Sequence, residues 1–312
     1  GPLIVRSKVA MFDSPLDMLD IAGLIDDRDF EAANQRSDLL EYVKGSLSGY
    51  HAGWFHEDVC RRLEAFSEAV INGDSPRLII QAPPRHGKSF MVSERFPVWH
   101  LGRHPDHEIV VAGYGLAVAQ DRTKAARDLA ISDRNKEIFP TFEISKDTAA
   151  KANWQLDKDS GLGSLRAVGK SGPLTGRGAH VLILEDLVKD YADALSPVQR
   201  DAVWNWYLST AYTRLAPGGG IIVMMTRWHD DDLAGRILFE QADENWEVVS
   251  YPAIATQDEA HRKAGEALHS ERFPIESLTK IKKALGTNIF QALYQQTPTT
   301  PGGSVWLSEW FG

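Results

Sequence analysis

The stretch that most constrains how this chain can fold is RLIIQAPPRHGKS at 77–89. An apolar run, Leu78-Ile79-Ile80, leads straight into a loop ending Gly87-Lys88-Ser89, and Phe90-Met91-Val92 opens an apolar, helix-compatible segment. A buried strand that feeds a loop and then a helix lets backbone N–H groups converge on phosphate oxygens. The spacing A-x-x-x-x-G-K-S follows the phosphate-binding loop pattern except at its first position, where Ala82 stands in place of glycine. In this reading Pro84, Arg85, His86 and Gly87 shape a cradle for ATP. Lys88, taken as a solvent-facing cation, reaches the β- and γ-phosphates, and Ser89 ligates Mg²⁺.

A second segment, HVLILED at 180–186, is a buried strand that ends on two carboxylates. In a nucleotide hydrolase such a strand is expected beside the phosphate loop, with one acid in the metal shell and the next orienting the attacking water. The order here is Glu then Asp, so Glu185 is assigned to the metal and Asp186 to the water, with the exchanged assignment open. GIIVMMT at 220–226 is another buried strand, and Thr226 at its end is placed to sense the γ-phosphate.

The remaining pattern alternates strands and helices. Further strands are read at 108–114, 164–168 and 246–251, and a helix before the loop carries Val59, Leu63, Phe66 and Val70 on one face. Other helices are expected from Ser89 to a close at Gly102, over 117–131, over 196–215 behind a Ser196-Pro197-Val198-Gln199 capping box, and over 273–296. The segment 146–163 reads as irregular, and Pro217 to Gly220 as a turn. Arg122, Lys124 and Arg127 form a solvated face or a DNA-facing one, and Asp230, Asp231 and Asp232 read as first-turn helix acids rather than metal ligands. Tyr50, Trp54, Phe55 and His56 are core aromatics or an adenine platform, with Phe55 carried as the nucleotide-side candidate. Together these elements predict an α/β P-loop NTPase whose doubly wound, mainly parallel sheet is flanked by helices.

At 312 residues with 43% hydrophobic content, the chain has room for one large α/β domain or two small ones. No run approaches the ~18 apolar residues of a membrane span. A single cysteine permits no internal disulfide, which fits a reducing, cytoplasmic setting. The net charge of −9 excludes coating nucleic acid by bulk electrostatics, so any DNA contact must be local or built by several subunits.

Four segments together resemble the large terminase subunit of tailed bacteriophages, the ATPase that drives DNA into the capsid: QAPPRHGKS at 81–89, LTGRGAHVLILEDLVKD at 174–190, MMTRWHDDDLAGRI at 224–237 and ALYQQTP at 292–298. The resemblance accounts for Ala82, because that family uses an alanine-proline loop. It implies that Arg85 supplies positive charge to the transition state and that Thr226 lies in the segment coupling hydrolysis to movement. Arg177 and Arg214 are the candidates to reach a neighbouring subunit's nucleotide. The implied partners are double-stranded DNA, the portal protein, the small terminase subunit and further copies in a ring on the procapsid in the host cytoplasm, with the isolated chain a monomer. The expected division is an arm at 1–56, an ATPase domain at 57–297 and a linker at 298–312 toward a nuclease domain. Gly1-Pro2 reads as a cleavage scar, and the chain as an isolated ATPase half. A helicase or other P-loop translocase, and a nucleotide-responsive scaffold without turnover, are the alternatives.

Overall fold

The computed structural model describes residues 26–147, 152–174 and 178–298. Helices α1 (Asp27–Ser37), α2 (Leu39–Gly45) and α3 (Trp54–Asn72) precede β1 (Arg77–Gln81). The chain then passes through α4 (Phe96–Arg103), β2 (Glu108–Gly113), α5 (Leu116–Ala130) and α6 (Asp133–Ile138). Next come β3 (Asn153–Gln155), β4 (Ser164–Gly169), β5 (Ala179–Glu185), α7 (Tyr191–Leu195) and α8 (Pro197–Trp206). β6 (Leu215–Met225), α9 (Leu233–Glu240), β7 (Glu247–Ser250), α10 (Ile275–Leu285) and α11 (Thr287–Leu293) complete the described chain.

The strands form one seven-stranded sheet in the order β3-β4-β2-β5-β6-β1-β7. Every pairing is parallel except β3 on β4. Side chains alternate between the faces with the period of two that a pleated strand requires. Leu78 and Ile80 of β1, Val181 and Ile183 of β5, and Ile222 and Met224 of β6 point into one core with α3 and α4. Ile79, Leu182, Leu184, Ile221 and Val223 point into a second core, with Val203, Trp206 and Tyr207 from the α8 side. Burial on both faces is why these strands read as continuous apolar runs. This is the doubly wound P-loop NTPase arrangement expected from the sequence.

Several local expectations are corrected. The acidic strand does not pair with β1, because β6 stands between them, in register with β1 at Gln81↔Met225 and with β5 at Glu185↔Met224. All three strands nevertheless end level, so their carboxyl ends share one rim. The helix after the loop does not close at Gly102. It passes through a π-helical stretch, Phe90–Arg95, and runs on to Arg103. A Cβ at Gly102 would lie 2.6 Å from the Phe139 ring, so this glycine permits close packing rather than capping. The helix over 196–215 ends at Trp206, followed by a π turn and a short 3₁₀ turn. Pro217 to Gly220 belong to β6 rather than to a turn, held there by Ser75 N–H donating to Gly218 O at 3.2 Å. Within 146–163 the short antiparallel β3 appears, and 273–296 is two helices parted at Gly286. The face of Val59, Leu63, Phe66 and Val70 is buried as expected, and Ser196 accepts the Gln199 N–H as an N-cap.

Candidate nucleotide site

The phosphate loop leaves β1 while still bonded to its neighbour, Ala82 N–H donating to Met225 O at 3.2 Å. The left-handed residues of the loop are Arg85 at φ +64° and Gly87 at φ +87°. Ala82 has no positive φ, so the usual first glycine is not needed there. His86 is fully buried, with its Nδ1 2.9 Å from Pro84 O. Burial, chiefly, pushes its pKa down to about 4, so the loop's core carries a neutral imidazole. Lys88 and Ser89 open the helical run that continues to Arg103.

Lys88 corrects another expectation: it is 5% exposed rather than solvent-facing. Its ammonium donates to Thr226 Oγ1 and to Ala82 O, and lies 3.4 Å from Asp186 Oδ2. Thr226 ties the rim together. Its hydroxyl donates to Ala82 O at 3.2 Å, and its N–H donates to Asp186 Oδ1 at 2.7 Å. Asp186 sits at φ +40°, a conformation that costs about 1–3 kcal/mol in a residue with a Cβ and is typical of functional sites.

Glu185 is 3% exposed, and its Oε1 accepts from Arg122 Nε at 3.1 Å. Its Oε2 is buried with no hydrogen-bond partner among the described residues. Arg122 also donates to Glu94 Oε1 at 3.2 Å. Burial opposes the charge on Arg122, but Glu185 and Glu94 outweigh it and raise its pKa, while burial raises that of Glu94. Arg122 is therefore part of the rim. Lys124, two residues on, is exposed.

A cavity of about 600 Å³ lies at the carboxyl ends of the strands, lined by Pro84, Arg85, Gly87, Lys88 and Ser89 on one side and by Asp186 and Thr226 on another; Glu94 and Arg122 line it too, whereas Glu185 stands behind Arg122. Tyr50, stacked on Phe90 at 5.2 Å, also lines it. Phe55 does not: it is 1% exposed and packs in the core edge-on to His86. Arg214 is exposed at the amino-terminal end of β6; Leu215 pairs with Ala179 and Met224 with Glu185, so about 20 Å of sheet, the rise from Ala179 to Glu185, separates it from the rim. Arg177 lies outside the described residues. Sequence reasoning missed Glu94 and Arg272, the latter lining the cavity from beyond β7, and named Arg122 only as part of a helix face and not of the rim. No local signal marks them, because only the sheet order brings them to the rim.

Two outer contacts complete the rim. Asp232, buried, caps α9 through Gly235 N–H and pairs with Arg227, while Asp231 holds Arg200 and Arg236. Gln296, 4% exposed, accepts the Arg227 N–H at 3.1 Å, and Gln295 makes a two-way amide pairing with the backbone of Ile254 at 2.8 and 3.0 Å. No three His, Cys, Asp or Glu side chains converge to hold a metal among the described residues. No described helix is long and apolar enough to cross a membrane.

A sheet of this order, with a lysine-serine loop and paired acids on one rim, defines a P-loop nucleoside-triphosphatase core. The chain belongs to the family described as terminase large subunit, T4likevirus-type, N-terminal, whose model matches residues 79–311. No curated protein matches the sequence. Among solved structures, the large terminase of a thermophilic bacteriophage in complex with ADP is similar over 73% of this chain and 52% of that one, at 10% identity and a TM-score of 0.45. A mutant ATPase domain of the Thermus phage P74-26 large terminase is similar over 78% of this chain and 98% of that one, at 14% identity and a TM-score of 0.49. For the Phi-28 gp11 DNA packaging motor the shares are 75% and 68%, at 11% identity and a TM-score of 0.36. The chain spans about half the length of the first of these.

Proposed function

We propose that the chain is the ATPase part of a phage DNA-packaging motor, hydrolysing ATP to drive double-stranded DNA into a procapsid. The observation that carries this reading is the convergence of Lys88, Ser89, Asp186 and Thr226 on one cavity, in a chain of the terminase large subunit family. The backbone of Gly87 to Ser89 cradles the phosphates, and Lys88 exchanges Thr226 and Asp186 for phosphate oxygens. Asp186 orients the attacking water. Arg85, with no carboxylate within 4 Å among the described residues, supplies charge to the transferring phosphoryl group. Thr226, bonded to both Asp186 and the loop, relays the nucleotide state to Arg227 and beyond.

The residues fit Mg²⁺: the buried, unpartnered Glu185 Oε2 is a free oxygen ligand, and Ser89 supplies a hydroxyl. A magnesium held in this way needs few protein ligands, because waters and phosphates fill its shell, so the lack of a larger acidic cluster is no obstacle. When bound, the ion neutralises developing phosphate charge. Glu185 is anchored by Arg122, which itself lines the cavity.

In the same reading 57–297 is the ATPase domain, preceded by an arm and followed by a linker to a nuclease domain. The partners are the portal protein, the small terminase subunit and further copies in a ring at the procapsid in the host cytoplasm. Arg214, distant from its own chain's rim, and Arg177 are candidates to act on a neighbour's nucleotide. The test is phosphate release with Mg²⁺, with and without duplex DNA, across a dilution series. Turnover that requires Mg²⁺ and rises per subunit with concentration is expected, and no turnover under any of these conditions would overturn the reading.

A further inference from the structure

Among the described residues lining the cavity, Arg85 and Arg272 have no carboxylate within 4 Å. The other cations are engaged: Lys88 by Asp186 at 3.4 Å, Arg122 by Glu94 and Glu185, and Lys189 by Asp190 at 3.7 Å. Arg85 belongs to the phosphate loop, whereas Arg272 arrives from the segment after β7. The structure holds that segment in place. Arg272 N–H and Phe273 N–H both donate to His269 O, at 3.2 and 2.8 Å, forming a tight turn. The Phe273 ring then lies flat on the His86 ring, with centroids 4.5 Å apart and planes 17° from parallel. Because His86 is fully buried in the middle of the loop, this stack fastens the turn to the phosphate loop itself. Arg272 is left exposed beside the cavity, its guanidinium 5.8 Å from the Phe273 ring centroid. A planar fork of donors with no anionic partner, set by a rigid turn against a phosphate loop, suits phosphate oxygens.

The direction of approach narrows the contact. Asp186 and Thr226, at the ends of β5 and β6, mark the side where the γ-phosphate and its water lie in the proposed site. Arg272 follows β7, which flanks β1 on the opposite side. We propose that Arg272 is a nucleotide-binding residue that closes on the phosphates shared by ADP and ATP; this rests on the nucleotide reading above.

The experiment titrates ADP, ATP-γ-S and inorganic pyrophosphate into the wild-type chain and the Arg272→Ala and Arg272→Lys variants, with circular dichroism to verify folding. Loss of a charge-assisted hydrogen bond predicts roughly tenfold or weaker binding of all three probes to Arg272→Ala. Arg272→Lys should recover part of the loss, because it keeps the charge without the fork. In turnover assays the change should fall on KM for ATP rather than on kcat. Wild-type affinity in a folded Arg272→Ala, or a loss confined to ATP-γ-S, overturns this proposal while leaving the site reading intact. A wild-type chain that binds none of the probes overturns the site reading and this proposal with it.

Discussion

At the amino-terminal ends of β2 and β5, His100 bridges Ser67 Oγ at 2.8 Å and His107 Nδ1 at 2.9 Å, His107 stacks on His180 at 4.4 Å, and His180 accepts the Glu108 N–H at 3.0 Å. At the carboxyl-terminal ends of the same sheet, lysine, arginine and carboxylate side chains gather, Arg85 and Asp186 hold positive φ, and Glu185 Oε2 has no partner among the described residues. Burial holds the pKa of His100 well below its ordinary value and lowers that of His107 to about 4, so these two are neutral members of a hydrogen-bonded chain. The second keeps charge, strain and a spare ligand oxygen. A buried polar chain that satisfies its members rigidifies a core, whereas groups held strained and partly unsatisfied are what a ligand site needs. One sheet thus separates structural polarity from chemical polarity by its two ends.

This separation can be broken most sharply at Asp186. Asp186→Asn should cut phosphate release by about 10²- to 10⁴-fold, as for a positioned proton acceptor, while nucleotide binding and thermal stability stay near wild type. Lys88→Ala should cost about 10²- to 10³-fold in turnover and also weaken nucleotide binding. Normal turnover by either folded variant would show that the charged end is not the working end. Glu185→Gln should move the Mg²⁺ dependence of turnover to higher concentration by about tenfold or more, a change scaled to the loss of one charged ligand. If instead Asp186→Asn moves the metal dependence, the two acids exchange roles.

The opposite end should respond in the opposite sense. His100→Leu strands Ser67 and His107, both left without their partner, and should cost about 1–3 kcal/mol in urea unfolding with turnover changed less than twofold. A large loss of turnover at unchanged stability would sink the contrast. A further effect is on pH dependence. Burial, first among the causes, lowers His56 to about 3 and His86 to about 4, and His100 well below its usual value. Between pH ~6.5 and ~4 the unfolded chain therefore binds protons that the folded chain refuses, so stability falls as pH drops through this window, by at most about 1.4 kcal/mol per pH unit for each histidine. Stability curves measured at several pH values should be shallower in His100→Leu by one proton.

Much of this arrangement is legible in the sequence, for identifiable reasons. Strands buried on both faces appear as unbroken apolar runs, so β1, β2, β5 and the apolar part of β6 are visible without coordinates. The phosphate loop is visible because its chemistry fixes residue type at fixed spacing. What was hidden depends on sheet order or on packing. The placement of β6 between β1 and β5, the turn of Arg122 toward Glu185, and the arrival of Arg272 from beyond β7 all come from topology, which no local window records. β3 was missed because three polar-flanked residues carry no periodicity, and the π-helical stretch because its side-chain pattern matches an α-helix.

The hydrogen bond from Arg227 N–H to Gln296 has a mechanical meaning apart from its role in packing. Pro298 lies two residues past Gln296, at most about 7 Å of extended chain. A load applied to the polypeptide beyond that point meets Thr297, bonded back to Gln291 of α11, and then Gln296, whose side chain bonds the backbone next to Thr226. Gln295 divides the load by pinning the adjacent residue to Ile254, just past the end of β7. Tension on the outgoing chain is thereby delivered to the ends of two strands in the same sheet, one of them carrying the residue that touches both Lys88 and Asp186.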